Sequence, residues 1–289
     1  MTESDNPTFR TRFTHSNYHE PMKLNSLFAL LLAFLITLPS VAQDMEDEAA
    51  WTWDPDDPRI GLAAGVDDAG EAILNLEKLA SLPRAPGFTL ADEQESGGRM
   101  ANTDLAFRDN YVFVGNYAGI NIYDVSDPSN PSLEVSIVCP GGQGDVSVHG
   151  NLLFMSAQET RGRLDCGASG VEEDVSDERF RGVRIFDIAN IREPRQVAAI
   201  QTCRGSHTHS LVSDLANPER IFVYVSGTSP VRPGEELDGC SGAEPGDDPN
   251  TSYFRIEVIE VPLDNPQESR VVNEPRIFED RKSTRLNSS

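Results

Sequence analysis

Beyond residue 100 the apolar positions fall in short runs separated by turn residues, and helical spacing is nearly absent. Asp104 to Phe107 and Tyr111 to Val114 are split by Asp109-Asn110. Asp145 to Val148 and Leu152 to Met155 are split by Gly150-Asn151, and His209 to Val212 and Ile221 to Val225 by Asn217-Pro218. Runs rich in Val, Ile, Tyr and Phe between Gly, Asn, Asp and Pro predict antiparallel strands. A third run follows each pair. It reads Gly119-Ile120-Asn121-Ile122-Tyr123-Asp124-Val125-Ser126-Asp127-Pro128-Ser129-Asn130-Pro131, then Gly182-Val183-Arg184-Ile185-Phe186-Asp187-Ile188-Ala189-Asn190-Ile191-Arg192-Glu193-Pro194. The weaker third copy starts at Arg255-Ile256-Glu257-Val258-Ile259-Glu260 and closes at Asn265-Pro266. Leu133 to Val138, Gln196 to Ile200 and Arg270 to Ile277 supply a fourth run. Four antiparallel strands, repeated, predict an all-β chain of β-propeller blades. About three blades are present, and since a ring takes about four to eight, it is incomplete.

Upstream, residues 72–83 admit two readings. Ile73, Leu74, Leu76 and Leu79 fit one face of an amphipathic helix. Alternatively, Leu76 to Pro83 parallels Leu133 to Pro140 and is an outer strand, its blade partners coming from sequence beyond the C-terminus. We favour the strand.

The ends change the picture. Met22-Lys23, an apolar run from Leu27 to Leu38 and the small residues before Gln43 predict a signal peptide over 22–42, cut after Ala42. The apolar run is too short to span a bilayer, which takes about 20 residues. Residues 1–21 are then an over-extended gene start, and His15 and His19 carry no functional weight. Residues 43–58 read as a flexible acidic leader whose Trp51 and Trp53 pack on the body. The basic, Ser-rich residues 280–289 resemble a translated sequencing adapter. The expected partial propeller spans 59–279, as a fragment of a longer protein.

Charge removes whole classes of function. Acidic residues outnumber basic ones 47 to 24, a net charge of −23. That argues against nucleic acid, which selects basic surfaces, and against anionic lipid. No transmembrane anchor is expected in the mature chain, and its place is extracytoplasmic, periplasmic or secreted. Four cysteines, at 139, 166, 203 and 240, favour disulfides in an exported chain, with three pairings open.

The segment Ile120 to Pro131 resembles the LVIVD repeat of secreted bacterial β-propellers. The second copy keeps the strand and its aspartate but loses Ser-Asp-Pro, and the third is degenerate. The resemblance covers roughly Asp104 to Phe278 and implies a fold far more than an activity. In its register Cys139 and Cys203 each end an outer strand, while Cys166 and Cys240 lie in the long loop of the next blade. That implies the disulfides Cys139–Cys166 and Cys203–Cys240, which would tie down the acidic insertions Arg161 to Phe180 and Pro230 to Ser252.

Candidate chemistry centres on the entries into each first strand. Asn102/Asp104, Gln143/Asp145 and His207/His209 occupy equivalent positions, and strand alternation puts each pair on one face. In a propeller that face lines the central channel. His207 and His209 with Asp104 and Asp145 are a candidate transition-metal set, and Asn102 and Gln143 line the same channel. Other propellers that resemble this architecture use channel histidines for copper-dependent sulfur chemistry, a likeness of fold alone. Against it stands the plainer reading that such residues hydrate the channel or bond neighbouring loops. Gly141-Gly142-Gln143-Gly144 precedes no helix, so phosphate binding lacks its context. Ser206 beside the histidines has no elbow motif of a hydrolase. Glu172-Glu173-Asp174 with Asp165 and Asp177 fit a solvated loop better than a calcium site. Asn250-Thr251-Ser252 is a glycosylation sequon only in a host that performs the modification. The expected function is a scaffold that binds a protein or small ligand on its loop-bearing face. The alternative is a metal-dependent enzyme, and whether the chain is an enzyme stays open.

Overall fold

The computed structural model describes residues 54–65, 68–88 and 101–277. It divides into two units, residues 1–72 and 73–289. The 1–21 extension, the 22–42 signal segment, Trp51 and Trp53 of the leader, and the 280–289 tail lie outside the described residues. In the first unit the described residues make local turns, with the Asp57 and Ile60 amides bonded to the Asp54 and Asp57 carbonyls. The guanidinium of Arg59 hydrogen-bonds Asp57 and pulls that carboxyl down to about 2.

The second unit holds twelve strands among the described residues, with no α-helix and one 3-10 turn at Pro266–Glu268. The first blade is β1 (Asn102–Arg108), β2 (Tyr111–Asn116), β3 (Gly119–Asp124) and β4 (Ser132–Val138). The second is β5 (Val146–His149), β6 (Leu152–Ala157), β7 (Gly182–Asp187) and β8 (Arg195–Gln201). The third is β9 (Thr208–Ser213), β10 (Arg220–Ser226), β11 (Glu257–Pro262) and β12 (Arg270–Asn273). Each forms a four-stranded antiparallel sheet in simple chain order. The β1–β2 and β5–β6 turns close through left-handed residues, Asp109 at φ 54° and Gly150 at φ 56°.

Hydrophobic burial stacks these sheets. One core joins Phe113, Ile120 and Ile122 of the first blade to Leu153, Met155 and Phe186 of the second. Another joins Phe154, Val183 and Ile185 to Val223, Val225 and Ile259 of the third. The middle blade is therefore apolar on both faces, and all six residues of β6 are buried.

All three outermost strands share one irregularity. The ladder slips between Ile122 and Tyr123, between Ile185 and Phe186, and between Val258 and Ile259. A bulge thus sits at the same repeat position each time. Such bulges twist a free edge away from intermolecular pairing.

The structure joins Cys139 to Cys166 and Cys203 to Cys240, the pairing that the repeat register implies. The closed loops span 27 and 37 residues. In the chain-entropy account each contributes roughly 3–4 kcal/mol.

The helical reading of residues 72–83 fails, while the outer-strand reading assigns its partners to sequence beyond this chain. The segment is neither helical nor paired, and Leu74 and Leu76 are 80% and 82% exposed. An apolar face settles into a helix or strand when something covers it, and no described strand lies alongside. The left-handed Asn75, at φ 59°, also interrupts any helix. The chain next packs where Ala85 and Phe88 meet Ala118.

Gly119 and Gly182 open the third strand of their blades at φ 143° and 150°. A Cβ on Gly182 would overlap the carbonyl oxygen of Ile200 across the ladder. Gly182→Ala should lower stability by about 2–4 kcal/mol, read as a shifted urea midpoint with unchanged slope. A loss below 1 kcal/mol would show that β7 and β8 can part without cost.

Candidate functional site

Strands β1 and β5 lie side by side, and the third blade meets the second through side chains ahead of β5 and β9. Four of the six sequence-selected residues bond across blade junctions. Asp104 Oδ2 accepts the Val146 amide at 2.9 Å, linking the first blade to the second. Asp145 Oδ2 accepts the His209 amide at 2.9 Å and lies 2.8 Å from His209 Nδ1, linking the second to the third.

Asn102 and Gln143 take other places, and His207 makes its junction bond from ahead of its strand. Thr103 is an extra residue that breaks the β1–β2 register between Asn102 and Asp104. Its hydroxyl donates to the carbonyls of Gly115 and Gln143. The bulge removes the alternation that would have paired Asn102 with Asp104, and Asn102 lines a cavity on the first blade's other flank. Gln143 and Asp145 both precede the first residue of β5. His207 precedes β9, and its Nδ1 lies 2.7 Å from Gln158 Oε1, which also accepts the Thr228 hydroxyl at 2.7 Å.

His209 is buried, and its Nδ1 meets the Ser156 hydroxyl at 2.8 Å. Ser156 in turn lies 2.7 Å from Ser206 Oγ. Aspartate, histidine and serine together suggest a hydrolase, but the geometry forbids it. A triad uses one imidazole nitrogen for the acid and the other for the hydroxyl. Here both crowd Nδ1, Nε2 is buried without a partner among the described residues, and both serines are 1% exposed. The cluster is a buried junction.

Asp145 feels opposing influences. Burial pushes its carboxyl up. The hydrogen bond and charge of His209, its amide and the Asp104 side chain outweigh that and hold it below the ordinary 3.8. Among the described residues no three or more His, Cys, Asp or Glu are placed to share a metal ion.

The insertions carry what sequence reasoning missed. Arg179 Nη1 lies 2.6 Å from Glu236 Oε2, and Arg232 Nε 2.6 Å from Glu236 Oε1, with all three side chains buried. This bridge ties the insertion of the second blade to that of the third. The fully buried Arg184 donates to the carbonyls of Arg163 and Leu164 and stacks 4.0 Å over Phe180. Burial pushes it down to about 10. The available signal was Arg179, Arg181 and Arg184 inside acidic surroundings. Arginine also accounts for the acidic loop: Arg163 pairs Asp165 and Glu178, and Arg161 pairs Glu172.

The glycine run has a steric cause. Side chains on Gly142 and Gly144, at φ 104° and 72°, would crowd Gln158 and the Asn116 carbonyl. A cleft of about 330 Å³ opens above it, between Tyr117, Val138 and Pro140 and the insertion residues Arg161 and Gly167.

Three four-stranded meander sheets, stacked face to face, define a β-propeller repeat protein. The LVIVD repeat family matches at residues 98–138, which takes in all four strands of the first blade. A search of curated proteins found no match. Among solved structures the chain is similar to the computationally designed Ika4 protein, at 10% identity and TM-score 0.30, over 63% of this chain and 82% of that one. It is similar to a Lactobacillus plantarum protein at 12% identity and TM-score 0.29, over 64% and 59%. Hsv2 of Kluyveromyces lactis follows at 15% identity and TM-score 0.18, over 63% and 66%. The fold rests on the strand order and register, and likenesses of this size add nothing to it.

Because its folded carboxyl is held low, Asp145 contributes stability that is present above its unfolded value and lost as pH falls through the folded one. Melting temperature measured from pH 6 to pH 2.5 should therefore fall more steeply below about pH 4 in the native protein than in Asp145→Asn. Parallel curves would mean the junction does not depend on that charge.

Proposed function

We propose that this chain is an extracytoplasmic β-propeller repeat protein that binds a partner or small ligand on its loop-bearing face, without chemistry of its own. The observation that carries the reading is the rigidity of that face. Two long insertions are each pinned by a disulfide and are tied to one another through the buried Arg179–Glu236–Arg232 bridge. Loops held on a rigid scaffold are where binding residues concentrate, since ordering them costs nothing further when the ligand arrives. Beside them lies the Tyr117 cleft, lined by the apolar Ala118, Val138 and Pro140 and by the polar Glu159 and Arg161. A pocket of this size and lining suits a small ligand or one anchoring side chain of a partner.

The disulfides and the expected signal segment support an extracytoplasmic place. Among the described residues no helix is long and apolar enough to cross a membrane.

Ligand-observed NMR with a fragment library tests the reading. Binders should weaken tenfold or more on Tyr117→Ala and stay unchanged on His149→Ala, which lies at a separate cavity. No binders, or binders indifferent to Tyr117, would sink it. Metal analysis supplies the contrast with an enzyme. Stoichiometric metal that disappears in His207→Ala would replace the scaffold reading with a metal-dependent one.

A further inference from the structure

Arg181 stands immediately before β7, where the second blade meets the third, and is 4% exposed. Among the described residues its guanidinium makes one hydrogen bond, from Nη1 to the Pro230 carbonyl at 2.8 Å. Its Nε is buried without a partner there, and no carboxylate pairs with it. Thr202 lies opposite on the continuation of the β7–β8 ladder, its amide donating to the Arg181 carbonyl at 2.9 Å. Thr202 is fully buried, and its hydroxyl also has no partner among the described residues. Strand alternation puts both side chains on the face of Val183 and Ile200, which packs against the third blade. Residues directly opposite on a ladder hold their Cβ atoms about 5 Å apart, so two unanswered groups stand side by side.

The surroundings add charge of the same sign. Arg179 and Arg232 share Glu236, and Arg204 donates to the carbonyls of Thr228 and Ser229, next to the Pro230 that Arg181 bonds. The neighbouring Arg255 has carboxylates of its own in Glu257 and Glu274. Among the described residues Glu236 is thus the one ion-pair partner for Arg179, Arg181, Arg204 and Arg232, in a chain whose net charge is −23. Arg184 shows how the fold treats another buried guanidinium. Two carbonyls and Gln196 Oε1 accept its hydrogens, and it stacks on Phe180. Burial, reinforced by the Arg232 charge, pushes Arg181 down to about 10, which leaves it a cation at neutral pH. Such a charge is costly in the interior unless an opposite charge answers it.

We infer that one chloride-sized anion binds at this junction, held between Arg181 Nε and the Thr202 hydroxyl. Both groups donate hydrogen bonds, and an anion accepts two without having to return any. A water molecule could accept the same bonds, but it brings hydrogens of its own and no charge. Burial limits the size of the ligand. Gly205 of the third blade approaches so closely that a Cβ on it would lie 3.4 Å from the Arg181 Cβ, which favours a compact ion over an oxyanion. The two enclosing blades each have all four strands, and neither Arg181 nor Thr202 lines the Tyr117 cleft. The anion therefore stands independently of what the loop-bearing face binds. Its effect is to tie the end of the β7–β8 ladder to the base of the third blade's insertion at Pro230.

Thermal melts of the full chain, followed by circular dichroism, test the site in sodium chloride and in sodium gluconate. Matched ionic strength separates binding from screening. The midpoint should be higher in chloride and should climb with the logarithm of its concentration. Thr202→Val, which keeps the shape of the side chain, should shift that response to about tenfold higher chloride. Arg181→Met should abolish it. Arg195→Gln, at an exposed arginine, should respond as the native protein does. Should Arg181→Met fail to fold, Thr202→Val carries the test. Equal midpoints of the native protein in the two salts, or a chloride response undiminished in Thr202→Val or Arg181→Met, overturns the site. So does stabilisation by sulfate that disappears in Arg181→Met with none by chloride, which would mark a larger oxyanion.

Discussion

A sheet with two apolar faces cannot rest in water, and the middle blade of this chain is such a sheet. Phe154, Val183 and Ile185 look to the third blade, and Leu153, Met155 and Phe186 to the first. At roughly 1.5–3 kcal/mol for each such side chain, stacking dominates every other favourable term. Stacking alone is non-directional, however, and would let the sheets slide. The junction bonds fix their register: Asp104 to the Val146 amide, Asp145 to the His209 amide. Each is a side-chain acceptor meeting a backbone donor on the next blade's first strand, so the inner edge behaves as one continuous ladder. The disulfides do the same work further out, where β4 and β8 cross to the next blade.

The blade pattern was legible because it is set by local rules. Turn residues such as Asp109 and Gly150 sit at left-handed backbone, and alternation or continuous burial follows from how many faces a strand covers. The cysteine pairing was legible for a related reason. In the repeat register the crossing that follows an outer strand and the long loop of the next blade emerge on one face, and that implies Cys139 with Cys166 and Cys203 with Cys240, as the structure has them. Residues 73–83 show the limit of that logic. Their apolar spacing fits a helix, which fails without a covering surface, and their sequence parallels β4, a likeness that calls for partner strands not found among the described residues.

The candidate site was less legible because one residue can reverse a face. The expectation that Asn102 and Asp104 point the same way assumed unbroken alternation, and the bulge at Thr103 cancels it. No composition rule predicts a bulge from a lone threonine. Similarly, His207 and His209 keep an i, i+2 spacing, yet one Nδ1 is taken by Gln158 and the other by Ser156 and Asp145. Spacing says which groups can meet. Competing hydrogen-bond partners decide which ones do.

The buried arginines and glutamates extend the same point. Glu236 receives two arginines in a site closed to water, a pair whose desolvation cost rivals its attraction. A plain apolar contact would hold the insertions together as strongly. It would not hold them in one orientation, because apolar surfaces slip and bidentate ionic contacts do not. Polar burial in this chain repeatedly sits where orientation, more than cohesion, is at stake. It occurs at the blade junctions, at Arg184 beneath one insertion and at Glu236 between the two.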